Sequence, residues 1–448
     1  MNMIDGKLHR YAYLLVYGCQ MNQSDAERMM GQLRTIGYER TESMEEADLI
    51  LINTCCVRET AEDRVYGKIG EIKRLKRERP ELIFGITGCM AQKEGDALIK
   101  RAPHINFVLG TNKVHELTRV VQEIQAERGH VVDVQVVDVQ LGETELPDDV
   151  PVARAGSLSA WVPIMYGCNN FCTYCIVPYV RGRERSRLPE DIVREVEEAV
   201  KNGYEEVTLL GQNVNSYGKD HKLADFADLL KMVDEVPGIR RVRFMTSHPK
   251  DLSDKVIAAI RDGEHLCEHI HLPVQYGSNR ILKAMNRVYT VESYRDLVRR
   301  IRAAIPEVSL TTDLIVGFPG ETDEDFQQML DFLREIRYDS AYTFIYSKRS
   351  GTPAATMENQ VEESVKKERL NALMAVQNEI SLAINEKLLG RTLEVMVEGP
   401  SKNDASVWMG RTRTNKIVLF AHAGEKPGDF IDVRITHPQT WVLKGERV

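Results

Sequence analysis

No stretch of about 18 or more apolar residues occurs in the 448-residue chain, so no membrane-spanning helix is expected. Met1–Arg10 holds no apolar segment of the kind a secretory signal needs, and the expected location is therefore the cytoplasm. An excess of positive charge is also missing: 59 Lys and Arg stand against 67 Asp and Glu, a net charge of −8. That balance argues against a surface that binds nucleic acid indiscriminately, and leaves room for local basic patches. Cysteine is scarce, eight in all, and in a reducing compartment these are not expected to build a disulfide framework. Clustered cysteines in that setting point to metal binding or catalysis. The length exceeds one ordinary core, and about two to four domains are expected.

What is present reads as three regions. In residues 10–126, apolar strands at Tyr11–Tyr17, Asp48–Asn53 and Leu82–Gly88 alternate with helical patterns at Ser24–Ile36 and Arg58–Arg79. That alternation implies a parallel α/β sheet. Residues 127–153 lack clear periodicity and read as a linker with one short valine-rich strand. From 154 to 385 the alternation resumes, with strands at Trp161–Tyr166, Glu206–Leu210, Arg241–Thr246, His269–Val274, Leu310–Gly317 and Ser340–Tyr346. Helical patterns at Pro189–Asn202, Ala224–Val236 and Asp323–Ile336 lie among them. Six such units suggest a partial (β/α) barrel, open on one side. Val361–Leu389 carries apolar residues at helical spacing and reads as a bridging helix. Residues 386–448 hold short strands (Leu393–Val397, Ile417–Phe420, Phe430–Ile435) between Gly, Pro and Asn turns, the pattern of a small β-barrel.

The cysteines fall at telling places. Cys19, Cys55 and Cys89 each follow one of the first three strands by one or two residues. In a parallel sheet the carboxyl ends of the strands share one edge, so residues 36 and 34 positions apart are expected to converge there. Cys168-x3-Cys172-x2-Cys175 directly follows the first strand of the expected barrel. Iron–sulfur clusters take thiolates at such close spacing. The alternative is zinc, which prefers four protein ligands and a second Cys or His pair that this sequence does not supply. Cys267 is isolated and reads as a small buried hydrophobe.

The Cys168–Cys175 loop resembles that of the radical-SAM superfamily. Further segments narrow the resemblance: Y-G-C-Q-M-N (Tyr17–Asn22), N-T-C (Asn53–Cys55), T-G-C-M-A-Q (Thr87–Gln92), G-C-N-N-F-C-T-Y-C-I-V-P (Gly167–Pro178), R-G-R-E-R-S-R (Arg181–Arg187), L-G-Q-N-V-N-S-Y-G (Leu210–Gly218) and Y-T-F-I-Y-S (Tyr342–Ser347). Over essentially its whole length the chain resembles the radical-SAM methylthiotransferases, and in particular the branch acting on N6-isopentenyladenosine in tRNA. The resemblance implies an N-terminal methylthiotransferase domain, a radical-SAM core and a C-terminal TRAM domain that binds tRNA. It implies two 4Fe-4S clusters, one on Cys168, Cys172 and Cys175 that binds S-adenosylmethionine (AdoMet) at its open iron, and an auxiliary one on Cys19, Cys55 and Cys89. One AdoMet would methylate a cluster-bound sulfur and a second would yield the radical that attacks C2 of the adenine. The family places the auxiliary ligand at Cys55, leaving the adjacent Cys56 as a small filler. Implied partners are a tRNA anticodon stem-loop carrying isopentenyladenosine, an electron donor such as flavodoxin or ferredoxin, and a sulfur or cluster donor; the chain is expected to be a monomer. Sibling enzymes modify threonylcarbamoyl-adenosine in tRNA or an aspartate of a ribosomal protein, and the latter carry G-C-x-K-N where this chain has G-C-Q-M-N. A non-catalytic iron–sulfur RNA-binding protein is the alternative of a different class.

By analogy with other radical-SAM enzymes, residues at the ends of barrel strands are candidates for AdoMet. Gln275 and Asp313 offer acceptors for ribose hydroxyls, Arg287 a bidentate partner for a carboxylate, and Ser247 a further hydroxyl. Gly317 would let the adenine approach the backbone. Gln212, in the G-Q-N turn Gly211–Asn213, is a candidate for the AdoMet amino group, with a plain polar turn as the alternative. For RNA phosphates the candidates are Arg181, Arg183 and Arg185, with Arg187, beside the cysteine loop, and Arg411 and Arg413, with Lys416, in the tail. The charged helix Lys73–Arg79 reads as a solvated face. His248, His269 and His271 are core or substrate-facing.

Overall fold

The computed structural model describes the chain except for residues 1, 5–6, 56–58, 128–135, 139–149, 155, 157, 221 and 403. Cys56 and most of the expected 127–153 linker thus lie outside the described residues. The chain divides into two compact units, one comprising Met1–Ser157, Tyr166–Asn169 and Ile176–Arg187, the other Leu158–Met165, Asn170–Cys175 and Leu188–Val448.

The first unit is built on a seven-stranded sheet. Strand Lys7–Val16 pairs in parallel with Leu49–Thr54, which pairs with Ile83–Gly88, then Phe107–Leu109, then Val136–Asp138. Tyr38–Arg40 adds a parallel edge and Asn2–Ile4 an antiparallel one. Leu49–Thr54 reads L-I-L-I-N-T and is buried at every position, as a strand covered on both faces must be. Its side chains alternate. Leu49 and Leu51 pack with the helices Gln20–Thr35 and Leu117–Glu127, through residues such as Met29, Leu33 and Val121. Ile50 and Ile52 face the opposite way, toward Val65, Ile69 and Leu98. Each such aliphatic side chain contributes about 1.5–3 kcal/mol on burial.

Gly85 shows how tightly the strands are fitted: a Cβ there would lie 2.0 Å from the ring of Phe107 on the next strand. The expected linker rejoins this unit at residues 150–154. Ala153 N donates to Glu27 O at 2.9 Å, and Gly31 makes room for the carbonyl of Pro151.

The second unit carries six parallel strands in sequence order: Ser159–Pro163, Glu206–Leu210, Arg241–Phe244, His269–His271, Ser309–Val316 and Ser340–Ile345. The first three pair as one sheet and the last three as another. The Val242–Leu266 bridge and the Ser247 N to His271 O bond join them. Among the described residues the first and last strands do not pair, so the barrel is open as expected. Helix Asp323–Ile336 begins where the sequence placed it, because Thr322 and Asp325 form a reciprocal capping box. The expected bridging helix is Glu363–Glu386. Gln377 and Ser381 bond to the carbonyls of Tyr338 and Asp339 at the barrel, and Asn385 bonds to Gln439 O in the tail. The tail closes into a five-stranded barrel of Thr392–Pro400, Val407–Thr412, Ile417–Ala421, Leu443–Arg447 and Phe430–Pro438.

Candidate active site

In the first unit the sheet register brings three strand ends together. Val16 lies opposite Asn53, Asn53 opposite Thr87 and Thr54 opposite Gly88. Cys19, Cys55 and Cys89 follow directly on this edge. Gly18 holds φ +114°, and a Cβ there would come within 2.6 Å of Cys55 Cβ and 2.9 Å of its sulfur, so only glycine lets the first loop approach the second. Gly88, at φ +92°, fits equally closely over Asn53 and Thr54.

Asn22 is fully buried and ties the strand ends. Its Nδ2 donates to Tyr17 O (2.7 Å) and Thr54 O (3.0 Å), and its own carbonyl accepts from Asn53 Nδ2 at 2.7 Å. Thr54 Oγ1 donates to Thr87 O at 2.6 Å and accepts from the Met90 and Ala91 amides, which fixes Cys89 at its helix start. Cys19 is the N-cap of the sixteen-residue helix Gln20–Thr35, whose first turn has no acidic side chain. Cys19 is exposed, whereas Cys55 and Cys89 are buried.

In the second unit the ends of the barrel strands form a polar rim. The turn after Glu206–Leu210 is held by Val214 N bonding to Thr246 O, and Tyr346 N bonds to Val316 O. Thr246 and Gln275 adopt left-handed backbone at φ +69° and +71° without being glycine. Such conformations persist where the surroundings demand them, and they cluster at functional sites. Ser247 Oγ, Asn213 Oδ1 and both amide atoms of Asn215 are buried without a partner among the described residues. Asn215 escaped the sequence reading; its only signal was its place in the N-V-N-S turn. Gln212 is half-buried in the same turn. Asp313 is near His271, 3.5 Å between Oδ1 and Nε2.

The cysteine loop is pinned at Thr173. Its amide bonds to Met285 O (3.1 Å), its hydroxyl to Ala284 O (2.9 Å), and its carbonyl accepts from Ala354 N (2.8 Å). Arg287 donates from Nη1 to Cys172 Sγ (3.3 Å), from Nη2 to Pro273 O (2.7 Å) and from Nε to Tyr289 Oη (2.7 Å). Burial opposes its charge, but Tyr174, Tyr289 and Cys172 around it hold its pKa well above the ordinary value. Arg287 thus serves a cysteine of the loop rather than standing open for a carboxylate. His248 stacks edge-on with Tyr289, and burial, aided by the Arg287 charge, depresses its pKa to about 2, so it is neutral at any physiological pH. Cys267 is buried as expected, and burial raises its pKa.

Several expectations give way. At Gly317, where φ is +72°, a Cβ would meet the Lys366 side chain at 2.3 Å, so the backbone conformation and the long helix both call for glycine. Arg181 is buried and donates to Asn22 Oδ1 (2.8 Å) and Asp25 Oδ2 (2.9 Å), so it is not presented to a phosphate. Arg187 is buried too, and Arg185 bonds to Asn112 at 3.0 Å, while Arg183 is exposed. In the tail, Arg411 pairs with Glu398 at 2.7 Å, and Arg413 with Glu268 at 2.8 Å and the carbonyls of Glu264 and Leu266. Lys416 pairs with Asp339 and Asn385. Arg241 and Arg243 complete this seam by donating to the carbonyls of Arg411, Thr412 and Arg413. The turn is therefore docked at the amino-terminal ends of the barrel strands. Arg413→Ala should lower thermal stability by an amount on the order of 1–3 kcal/mol, while the slope of tRNA affinity against salt stays as in the native protein. A flattened slope in a filter-binding series at several salt concentrations would restore the phosphate reading.

Among the described residues no three His, Cys, Asp or Glu side chains are arranged to hold a single metal ion. A polynuclear cluster puts each thiolate on a different iron, and soft thiolates are its preferred donors. Thiolates are the donors such a cluster prefers, and the buried polar atoms of Ser247, Asn213 and Asn215 that lack a partner among the described residues suit a polar ligand at the barrel rim.

Family models match three stretches: the Radical SAM superfamily over residues 162–333, an uncharacterised protein family designated UPF0004 over 11–110, and the TRAM domain over 386–448. A relative from Desulforamulus reducens, a tRNA-2-methylthio-N(6)-dimethylallyladenosine synthase, is 53% identical over 96% of this chain and 94% of its own. Another of the same name, from Carboxydothermus hydrogenoformans, is 52% identical over 97% and 98%. Among solved structures, the radical S-adenosylmethionine methyltransferase TsrM from Kitasatospora setae, with cobalamin and a 4Fe-4S cluster bound, aligns with a TM-score of 0.57 at 15% identity over 78% of this chain and 74% of its own; that likeness concerns the fold. With half its residues shared along nearly its whole length, the chain belongs to the tRNA-2-methylthio-N(6)-dimethylallyladenosine synthase family of the radical SAM superfamily.

Proposed function

We propose that this chain transfers a methylthio group to C2 of N6-isopentenyladenosine in tRNA, using two 4Fe-4S clusters and AdoMet. The observation that carries the reading is the pair of separate cysteine triplets, one set following the strands of the first unit's sheet and the other following the first barrel strand in sequence, in a chain of this family. Two clusters are needed because the radical and the sulfur have to be supplied by different centres; when bound, one provides a carbon-centred radical from AdoMet and the other a transferable sulfur.

The protein's own residues have distinct tasks. Cys168, Cys172 and Cys175 hold the first cluster, and Arg287 balances the charge of Cys172 and fixes its rotamer. Ser247, Asn213, Asn215 and Gln275 line the rim where the polar groups of AdoMet are bound, with Asp313 reaching toward its ribose. Gln212 remains a candidate for its amino group. His248 stays neutral and adds no repulsion toward a sulfonium. Cys19, Cys55 and Cys89 hold the second cluster. Of the arginine run, Arg183 is the residue exposed for tRNA phosphate. The division into residues 10–126, 154–385 and 386–448 carries these roles in order, the last binding tRNA. The reading also brings an electron donor such as flavodoxin or ferredoxin, a sulfur or cluster donor, and a monomer working in the cytoplasm.

Nucleoside mass spectrometry of tRNA from cells lacking the gene tests the substrate. N6-isopentenyladenosine should accumulate and its 2-methylthio derivative disappear. Loss of the threonylcarbamoyl derivative instead would assign the chain to the sibling activity.

A further inference from the structure

The short helix Val177–Arg181 belongs to the auxiliary edge of the first unit: Ile176 and Val180 pack with Cys89. Its last residue, Arg181, sends Nη2 to Asn22 Oδ1 at 2.8 Å and to Asp25 Oδ2 at 2.9 Å, with its side chain only 5% exposed. The Cys19 thiol also donates to Asn22 Oδ1, at 3.8 Å. One buried amide oxygen thus connects the guanidinium to a cysteine, while Asn22 Nδ2 and its carbonyl lock onto Tyr17, Thr54 and Asn53.

A buried ion pair is seldom kept for stability, because desolvating both charges offsets their attraction. Among the described residues Arg181 has one carboxylate partner, Asp25, and it lies near thiols that carry negative charge when they bind iron. Burial opposes its charge, yet Asp25 and the nearby Cys89 and Cys19 sulfurs more than offset this.

We propose that Arg181 is a positioning residue of the auxiliary site, its buried cation setting the charge balance of the cluster held by Cys19, Cys55 and Cys89, with Asn22 transmitting its orientation to Cys19. The inference rests on the two-cluster reading above. It follows from the general dependence of cluster potential on nearby charge and on hydrogen bonding around the sulfurs. Removing the cation should make the reduced cluster less favourable, and removing the Asp25 charge should do the reverse.

The test uses the full chain, reconstituted anaerobically, in a Cys168→Ala, Cys172→Ala, Cys175→Ala background, so that remaining iron belongs to the auxiliary site. Iron and acid-labile sulfide are counted, and the midpoint potential is followed by electron paramagnetic resonance. Arg181→Met should move the potential in the negative direction by at least tenfold in the reduction equilibrium, about 59 mV for one electron. Arg181→Lys should stay close to the parent, and Asp25→Asn should move it positive. Loss of iron in Arg181→Met with retention in Arg181→Lys also supports the role of charge. Equal potentials in the Met variant and the parent overturn the proposal, as does equal damage from Met and Lys, which would mean that shape matters and charge does not. If the background with Arg181 intact holds no iron, the auxiliary-cluster reading itself fails, and this inference with it.

Discussion

Replacing Cys168, Cys172 and Cys175 together by alanine should leave about half of the iron and abolish AdoMet cleavage. The two thiolate sets are supported by different parts of the chain. Thr173, within the first loop, is pinned to Met285, Ala284 and Ala354, and Cys172 is held by Arg287. The second set is fixed by strand register and by Asn22 and Thr54. Perturbations of sites without shared partners add independently. The triple variant should therefore keep the auxiliary iron and its visible absorption while producing no 5′-deoxyadenosine under dithionite. Iron analysis that finds none left, or the full native amount, contradicts independent ligation. Alanine at Cys172 leaves Arg287 buried without its sulfur acceptor, a penalty on the order of 1–3 kcal/mol. The variant should accordingly be compared at a temperature well below its own unfolding transition.

The parallel strands were legible because burial on both faces writes itself as continuous apolar runs, such as L-I-L-I in residues 49–52. Cysteines one or two residues beyond such runs then share an edge by geometry alone. Short elements were not legible. Phe107–Leu109 and Tyr38–Arg40 have three residues each, too few for a period to appear, and they are strands because neighbours pair with them. Arginines were the main misreading. Arg411 and Arg413 have no acid between them, which suggested phosphate. Arg411 lies near the end of the strand Val407–Thr412 and Arg413 in the turn after it, and the acids they meet include Glu268, 145 residues away in sequence. Arg181 hides the same way, its partner Asp25 lying 156 residues earlier. A local count of charges cannot see such pairs. A glycine signals a close approach but does not name what approaches: at Gly317 one neighbour is the Lys366 side chain from the long helix.

Cys55→Ala should lose the auxiliary cluster and make no methylthiolated product, yet still cleave AdoMet, whereas Cys56→Ala should retain both clusters and activity. The two cysteines are adjacent, so a choice exists. Cys55 directly continues the strand Leu49–Thr54, whose last residue is fixed by bonds to Thr87, Met90 and Ala91. It is buried against Gly18, whose missing side chain is what lets the Cys19 loop come so near. The resemblance places the auxiliary ligand at Cys55, and Cys56 itself lies outside the described residues. Removing the Cys55 sulfur takes away one of three ligands at a place where no histidine or carboxylate among the described residues completes a metal-holding group. The AdoMet cluster keeps all its own ligands, so cleavage continues without a sulfur to transfer. Iron stoichiometry, 5′-deoxyadenosine and methylthiolated tRNA measured on the same preparations separate the outcomes. Equal damage from the two single changes would indicate shared ligation, and damage from Cys56→Ala alone would reverse the assignment. Since a neighbouring thiol can step in for a missing ligand, Cys55→Ala/Cys56→Ala belongs in the series: residual auxiliary iron in the single Cys55 variant that vanishes in the double one would identify substitution by Cys56, leaving Cys55 as the native ligand.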